Sequence, residues 1–271
     1  MVELEQLFNN RELGENTKRN YTYAYNKLMN ITNNELISNL KDTEIVKLLK
    51  TLDLPPMSKN GMISVAIGIL KANDKSIASL EKYREAVIAE HYENKKNDTA
   101  TTDKLVSIKQ LKDFTKQLYK DEKYIDFIIN YIMVNFGTRN MDLDLMIVKN
   151  KRQVNKTDNF IYATTKYVVV VINKYKTAST YKAKKFVIYN NDLIRAVKKL
   201  LGDNDELKLI DAVDINAYIQ SRTLNNMGET LVFKSLIAEL AKQNKIDKIK
   251  ELSKTRGTNA DTIFKDYYIK T

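Results

Sequence analysis

The stretch Leu252-Ser-Lys-Thr-Arg-Gly-Thr-Asn-Ala-Asp-Thr-Ile-Phe-Lys-Asp-Tyr-Tyr-Ile-Lys-Thr271 carries the signal to which the rest of the chain must be fitted. Gly257 predicts a helix stop, because glycine takes a positive φ without the steric cost other residues meet. Asn259 or Asp261 then caps a short new helix running toward Tyr267. A tyrosine is thereby delivered on a short element, ten residues after the glycine. Alone, such a tyrosine serves packing more often than chemistry. Its meaning depends on the partners that the upstream chain supplies.

Composition narrows those partners. The chain has 271 residues, 43% of them hydrophobic and 29% charged, enough for one large core or two modest ones. Only 2 prolines and 7 glycines favour long helices over a turn-rich β architecture. A net charge of +11 points to a polyanionic partner, nucleic acid first and anionic membrane second. The absence of cysteine excludes disulfides, thiolate zinc sites and cysteine nucleophiles. With His91 the single histidine, a His-rich metal site is excluded and a serine triad is disfavoured. Nothing reads as a transmembrane span or a signal peptide, since Met1–Asn10 is acidic and poor in apolar residues.

From the start of the chain, Asn16 reads as the cap of a helix that places Tyr21, Tyr25 and Leu28 on one face. Lys18, Arg19 and Lys27 are left for solvent or a phosphate backbone. Further helices are expected at 34–40, at 42–52 before Pro55-Pro56, at 57–73 with a stripe of Ile63, Ala66, Ile67 and Leu70, and at 76–93. The polar run Asn94–Thr102 reads as a linker. Residues 1–102 are therefore expected to form a helical domain with its linker, and 103–271 a second domain.

The second domain opens with helices at 105–118 and 122–136. Short β-rich runs follow at 145–148, 160–164, 167–173 and 186–189. Tyr167-Val-Val-Val-Val-Ile172 is apolar and β-branched, as at the centre of a small sheet. Helices return at 192–201, 214–224, 229–243 and 246–254. The expected class is mainly α with a small antiparallel β-sheet.

Three stretches converge on chemistry. Gly137-Thr-Arg139-x-x-Asp142-Leu143 closes an apolar helix, Tyr175-Lys176-Thr177 sits in a turn between two β-runs, and Tyr267 follows Gly257 by ten residues. Together they resemble the tyrosine recombinases (phage integrase family), whose boxes read Gly-x-Arg-x-x-Glu-Leu, a hairpin lysine, and Gly-His-x-x-x-Thr before the nucleophilic tyrosine. The resemblance covers most of the chain. It implies a SAM-like core DNA-binding domain followed by a catalytic domain, which clamp double-stranded DNA between them. In that role Arg139 holds the scissile phosphate with its forked donors. Lys176 protonates the departing 5′ oxygen. Tyr267 attacks in line to form a 3′-phosphotyrosine, a step requiring neither metal, ATP nor other cofactor. The resemblance also implies a tetramer on DNA, a mobile-element or viral origin and an intracellular location, without membrane association.

The departures from the family are as specific. Its middle box, His-x-x-Arg, corresponds to Gly228-Glu-Thr-Leu231-Val-Phe-Lys234, with Leu231 at the histidine position and Lys234 at the arginine position. Thr258 replaces the second histidine. Lys234 offers a point charge and Arg256 a guanidinium, so both are candidates to complete the site, and Thr258 to touch DNA. Three readings remain: a site-specific recombinase or integrase, a catalytically degenerate DNA-binding protein on the same fold, and a small type IB topoisomerase. Retention of Arg139, Lys176 and Tyr267 together favours an active enzyme over the second of these.

Overall fold

The computed structural model describes residues 2–9, 13–96, 99–151, 157–175, 178, 183–259 and 262–263. The chain divides into two compact units, Met1–Asp98 and Thr99–Thr271.

The first unit is helical: α1 (Val2–Asn9), α2 (Glu15–Ile31), a 3-10 turn at Ile37–Asn39, α3 (Asp42–Lys50), α4 (Pro56–Ala72) and α5 (Ala78–Lys96). Pro56 opens α4, where a missing N–H costs nothing. Ile63, Ala66, Ile67 and Leu70 are buried, but so are Met62, Val65, Gly68 and Ile69. A single stripe is exceeded because α4 is packed by α1, α2, α3 and α5. Gly68 admits α1 closely, since a Cβ there would lie 2.8 Å from Leu7 Cδ1. Buried Glu3 ties α1 to its neighbours, accepting from Tyr25 Oη at 3.0 Å and from the Ser38 N–H at 2.7 Å. Burial, and then the Glu3 carboxylate, push the Tyr25 hydroxyl up to about 12.

Two local expectations are corrected here. Gly14, not Asn16, is the N-cap of α2, and Asn16 lies exposed in the first turn. The run 94–102, where the boundary between the two units falls, is helical at both its ends rather than open: α5 continues to Lys96 and α6 occupies Thr99–Thr102. Polar composition marked a solvated segment, but the run holds neither Pro nor Gly, the residues that break helix most strongly.

The second unit continues with α7 (Ile108–Lys120), α8 (Tyr124–Phe136), a 3-10 turn at Asn140–Leu143, β1 (Met146–Val148), β2 (Phe160–Ala163), β3 (Val168–Ile172) and β4 (Lys184–Ile188). It ends with α9 (Asn191–Leu201), β5 (Glu206–Lys208), α10 (Ile215–Gln220), α11 (Gly228–Lys242) and α12 (Ile246–Arg256). Ser107 caps α7 through a reciprocal pair: Gln110 N–H donates to Ser107 Oγ at 3.1 Å and Ser107 N–H to Gln110 Oε1 at 2.9 Å.

The class is mainly helical with one small sheet, ordered β4-β3-β2-β1-β5. β3 lies second, with Val168, Val169, Val170 and Ile172 buried, as its unbroken apolar run requires. The β2–β3, β3–β4 and β1–β5 pairs are antiparallel, whereas β1 and β2 run parallel with Met146 opposite Phe160. The sheet is thus mixed rather than wholly antiparallel. The connection over 149–159 is long enough to bring the chain back to the starting end of β1, which a tight hairpin does not do. One core joins the sheet to α8, α9 and α11 through Ile128, Ile132, Val170, Val197 and Phe233.

Candidate active site

The site grows from the end of α8. Gly137 closes that helix in the left-handed conformation (φ 62°, ψ 31°), its N–H bonded to Met133 O at 2.8 Å. A Cβ at this position would stand 2.6 Å from Phe233 Cε2, so glycine is needed for space as well as for φ. The chain then turns through Thr138, Arg139 and Asn140, and Asp142 closes the turn by accepting the Arg139 N–H at 3.2 Å.

Arg256, the last residue of α12, is only 1% exposed and points into this turn. Its Nη1 donates to Gly137 O at 2.9 Å and Thr138 O at 3.3 Å, and its Nη2 to Glu229 Oε1 at 2.7 Å. The guanidinium lies 4.2 Å over the Phe233 ring. Glu229 turns its other oxygen to the Asn140 N–H at 2.5 Å, and Asn140 Nδ2 donates to Asn216 Oδ1 at 2.9 Å. Arg139 in turn donates from Nη1 to the main-chain oxygen of Arg256 at 2.5 Å. That oxygen is one of the carbonyls a helix end leaves without an intrahelical partner, where a cation is also favoured by the helix dipole. Among the described residues the remaining side-chain donors of Arg139, Nε and Nη2, carry no hydrogen bond.

Lys184 enters from the first residue of β4. Its ammonium is nearly buried, 3.6 Å from Asp142 Oδ2 and 3.6 Å from the centre of the Tyr175 ring. Burial lowers the Lys184 pKa, with Arg139 and Arg256 adding to the effect and Asp142 opposing it. Burial raises the Asp142 carboxyl, opposed by Lys184, Arg139 and Arg256. Every buried side-chain polar atom that lacks a hydrogen-bond partner among the described residues lies in this cluster, including Thr138 Oγ1, Asn140 Oδ1, Asp142 Oδ1 and Lys184 Nζ. Buried polar atoms are normally satisfied, and each exception calls for a ligand, a water or a functional role.

The residues singled out in the sequence are thus placed unequally. Arg139 and Arg256 come together, but Arg256 directs its fork at the protein itself. Lys234 is half-buried on α11 next to Phe233, and none of the bonds just described runs through it. Thr258 donates its N–H to Ser253 O at 3.1 Å, and its carbonyl accepts from Ser253 Oγ at 2.7 Å. Gly257 adopts φ 65° and Asn259 Oδ1 accepts from the Thr262 N–H at 2.7 Å, the stop and the cap read from the sequence. Lys176 and Tyr267 lie outside the described residues. In the first unit, Lys18 pairs with Glu15 at 2.9 Å, Arg19 is exposed, and Lys27 sits 4.6 Å over the Tyr23 ring, all on α2.

Lys184 and Glu229 were not singled out from the sequence. The alternation of β4 could have found the first, because Lys184, Phe186 and Ile188 face inward while Lys185 and Val187 are exposed. Glu229 gave no comparable signal.

No protein-family model and no curated protein matches this sequence. Among solved structures the chain is similar to one described as the crystal structure of XerA recombinase, at 11% identity and a TM-score of 0.37, over 100% of this chain and 94% of that one. A TM-score this low does not establish a common fold, so the residues themselves must carry the functional reading.

Proposed function

We propose that the Arg139 cluster is a phosphodiester site and that the chain cuts and rejoins double-stranded DNA through Tyr267, as a site-specific recombinase would. The observation that carries this reading is the half-committed guanidinium of Arg139. One nitrogen is anchored to the end of α12, two nitrogens remain for a ligand, and the turn around it is rich in buried polar atoms without partners among the described residues. Such an arginine matches two oxygens of a tetrahedral anion. The net charge of +11 supports the same class of partner.

In the reaction the Tyr267 oxygen bonds to phosphorus and the P–O5′ bond breaks. The phenolic proton leaves to solvent, and the departing 5′ oxygen gains a proton from a lysine. Lys176 is the lysine of the family resemblance. Lys184 joins it as a candidate, since a desolvated ammonium with a lowered pKa is the better proton donor near neutral pH. Arg256 acts through Arg139, by fixing the turn and presenting the carbonyl that orients it.

A second reading, DNA binding without cleavage, is favoured by one observation: with the Arg256 fork turned inward, Arg139 is the guanidinium left for phosphate. Adduct formation and DNA affinity measured side by side separate the two. Under the cleavage reading, Arg139→Ala removes the covalent adduct and weakens binding only slightly. Full adduct yield from Arg139→Ala would remove Arg139 from the chemistry.

A further inference from the structure

The second unit holds another site-like feature, on the α7–α8 face and separate from the Arg139 cluster. A cavity of about 300 Å³ opens there, at the small end of the range for ligand sites. Tyr119, Phe127 and Tyr131 make its aromatic wall, with Tyr119 and Phe127 ring centres 5.1 Å apart and those of Phe127 and Tyr131 5.7 Å apart. The rings are tilted by 56° in both pairs; Phe127 is buried behind the wall, and the half-buried Tyr119 and Tyr131 supply the ring surface that a flat guest can reach.

The rim has the opposite character. Lys112, Lys116 and Lys120 stand four residues apart along α7, on one helix face and about 6 Å from one to the next. All three are exposed, and none forms an ion pair among the described residues. The entrance to α9 contributes Asn190 and Asp192. Asn190 Oδ1 is engaged by the Leu193 N–H at 2.8 Å, whereas Asp192 remains exposed as an acceptor. Burial raises the Tyr131 hydroxyl, with Asn190 opposing, so it stays a neutral donor at the cavity wall.

We infer that this cavity binds a nucleobase bearing a phosphate, the ring lying against Tyr119 and Tyr131 and the phosphate meeting the lysine row. Aromatic platforms beside a basic track are how proteins hold unpaired nucleotides without reading a duplex. Asp192 adds a preference for bases with an exocyclic amine, which can donate to it, as cytosine does and thymine does not. The same chemistry is presented by a free nucleotide and by an unpaired nucleotide in a strand. The inference does not depend on strand cleavage, because none of these residues belongs to the Arg139 cluster.

Equilibrium dialysis of the full chain against dCMP, deoxycytidine and deoxyribose 5-phosphate tests it. dCMP should bind at least tenfold more tightly than either fragment, and tighter than dTMP. The exposed double variant Lys116→Glu/Lys120→Glu should weaken dCMP about tenfold and leave deoxycytidine unchanged, with its thermal midpoint confirming that it folds. An eight-nucleotide single strand that binds more tightly than dCMP, and loses that advantage in the variant, identifies the strand as the natural source. Equal affinity identifies the free nucleotide. The inference is overturned if dCMP binds no better than deoxyribose 5-phosphate, or if the double variant binds dCMP as well as the unmutated chain.

Discussion

Arg139 Nη1 donates to the main-chain oxygen of Arg256 at 2.5 Å, so the arginine of the α8 turn is anchored to the last residue of α12. The reverse contact is made by the Arg256 side chain, which reaches the carbonyls of Gly137 and Thr138 on either side of that turn's start. Arg139 thus holds the backbone of Arg256, while Arg256 holds the backbone of the two residues that precede Arg139. The orientation of Arg139 depends on α12 being in place.

Arg256 is therefore expected to be a stability residue as well as a functional one. Removing it in Arg256→Leu leaves Glu229 without its counter-charge and two carbonyls without donors, at a cost of about 3–5 kcal/mol. Arg256→Lys should recover only part of this, because one ammonium cannot reproduce a planar fork. Urea unfolding measures both. If Arg256→Lys matches the unmutated protein, the fork is dispensable. Activity should fall more in Arg256→Lys than in Lys234→Arg, for the same reason.

Gly137→Ala meets two obstacles, a left-handed φ worth about 1–2 kcal/mol and a Cβ driven against Phe233, worth about 1–3 kcal/mol. A clear drop in thermal midpoint is expected. The Phe233 ring also underlies Arg256, so DNA cleavage should fall further than the loss of folded protein explains.

The Asp142–Lys184 pair sets a pH signature. The folded Lys184 pKa lies below its ordinary value, so in the window between the two the unfolded chain binds more protons and stability rises with pH. The folded Asp142 pKa lies above its ordinary value, so in its window the folded chain holds more protons and stability falls as pH rises. Between those windows both groups are charged and the desolvation cost is greatest. Lys184→Met alone should destabilise by about 3–5 kcal/mol by stranding Asp142. Asp142→Asn/Lys184→Met should restore most of that loss and flatten both slopes. Denaturation curves across acidic, neutral and alkaline pH decide the matter, and an unaffected Lys184→Met would show that the pair is not coupled.

Much of this was legible in the sequence where a residue type has one physical use. Gly137 and Gly257 read as helix ends because few other residues accept a positive φ, and both take it. The valine run of β3 announced a covered strand. The β5 strand, with three residues and no apolar run, was not legible, and neither was the parallel direction of β1 and β2, which depends on where a loop returns. Direction was also hidden for charged side chains. The sequence marks Arg256 as a cation, but only packing shows its guanidinium turned to Glu229 and two carbonyls.

DNA affinity should depend steeply on salt, since each neutralised phosphate releases counterions. If both units grip one duplex, residues 104–271 alone should bind far more weakly than the full chain. Equal affinities would confine DNA contact to the second unit and release Lys18, Arg19 and Lys27 from that role.

Strand transfer by Tyr267 passes through a covalent protein–DNA intermediate, and trapping that intermediate tests it. A pool of randomised duplexes with bridging 5′-phosphorothiolate links needs no proton on its leaving group, so cleavage accumulates an adduct that survives detergent. The unmutated chain should yield this adduct, with mass spectrometry placing the DNA on Tyr267, and Tyr267→Phe should abolish it while Tyr268→Phe retains it. An adduct that survives Tyr267→Phe would exclude Tyr267 as the nucleophile, and none from unmutated protein bound to the same DNA would exclude strand transfer.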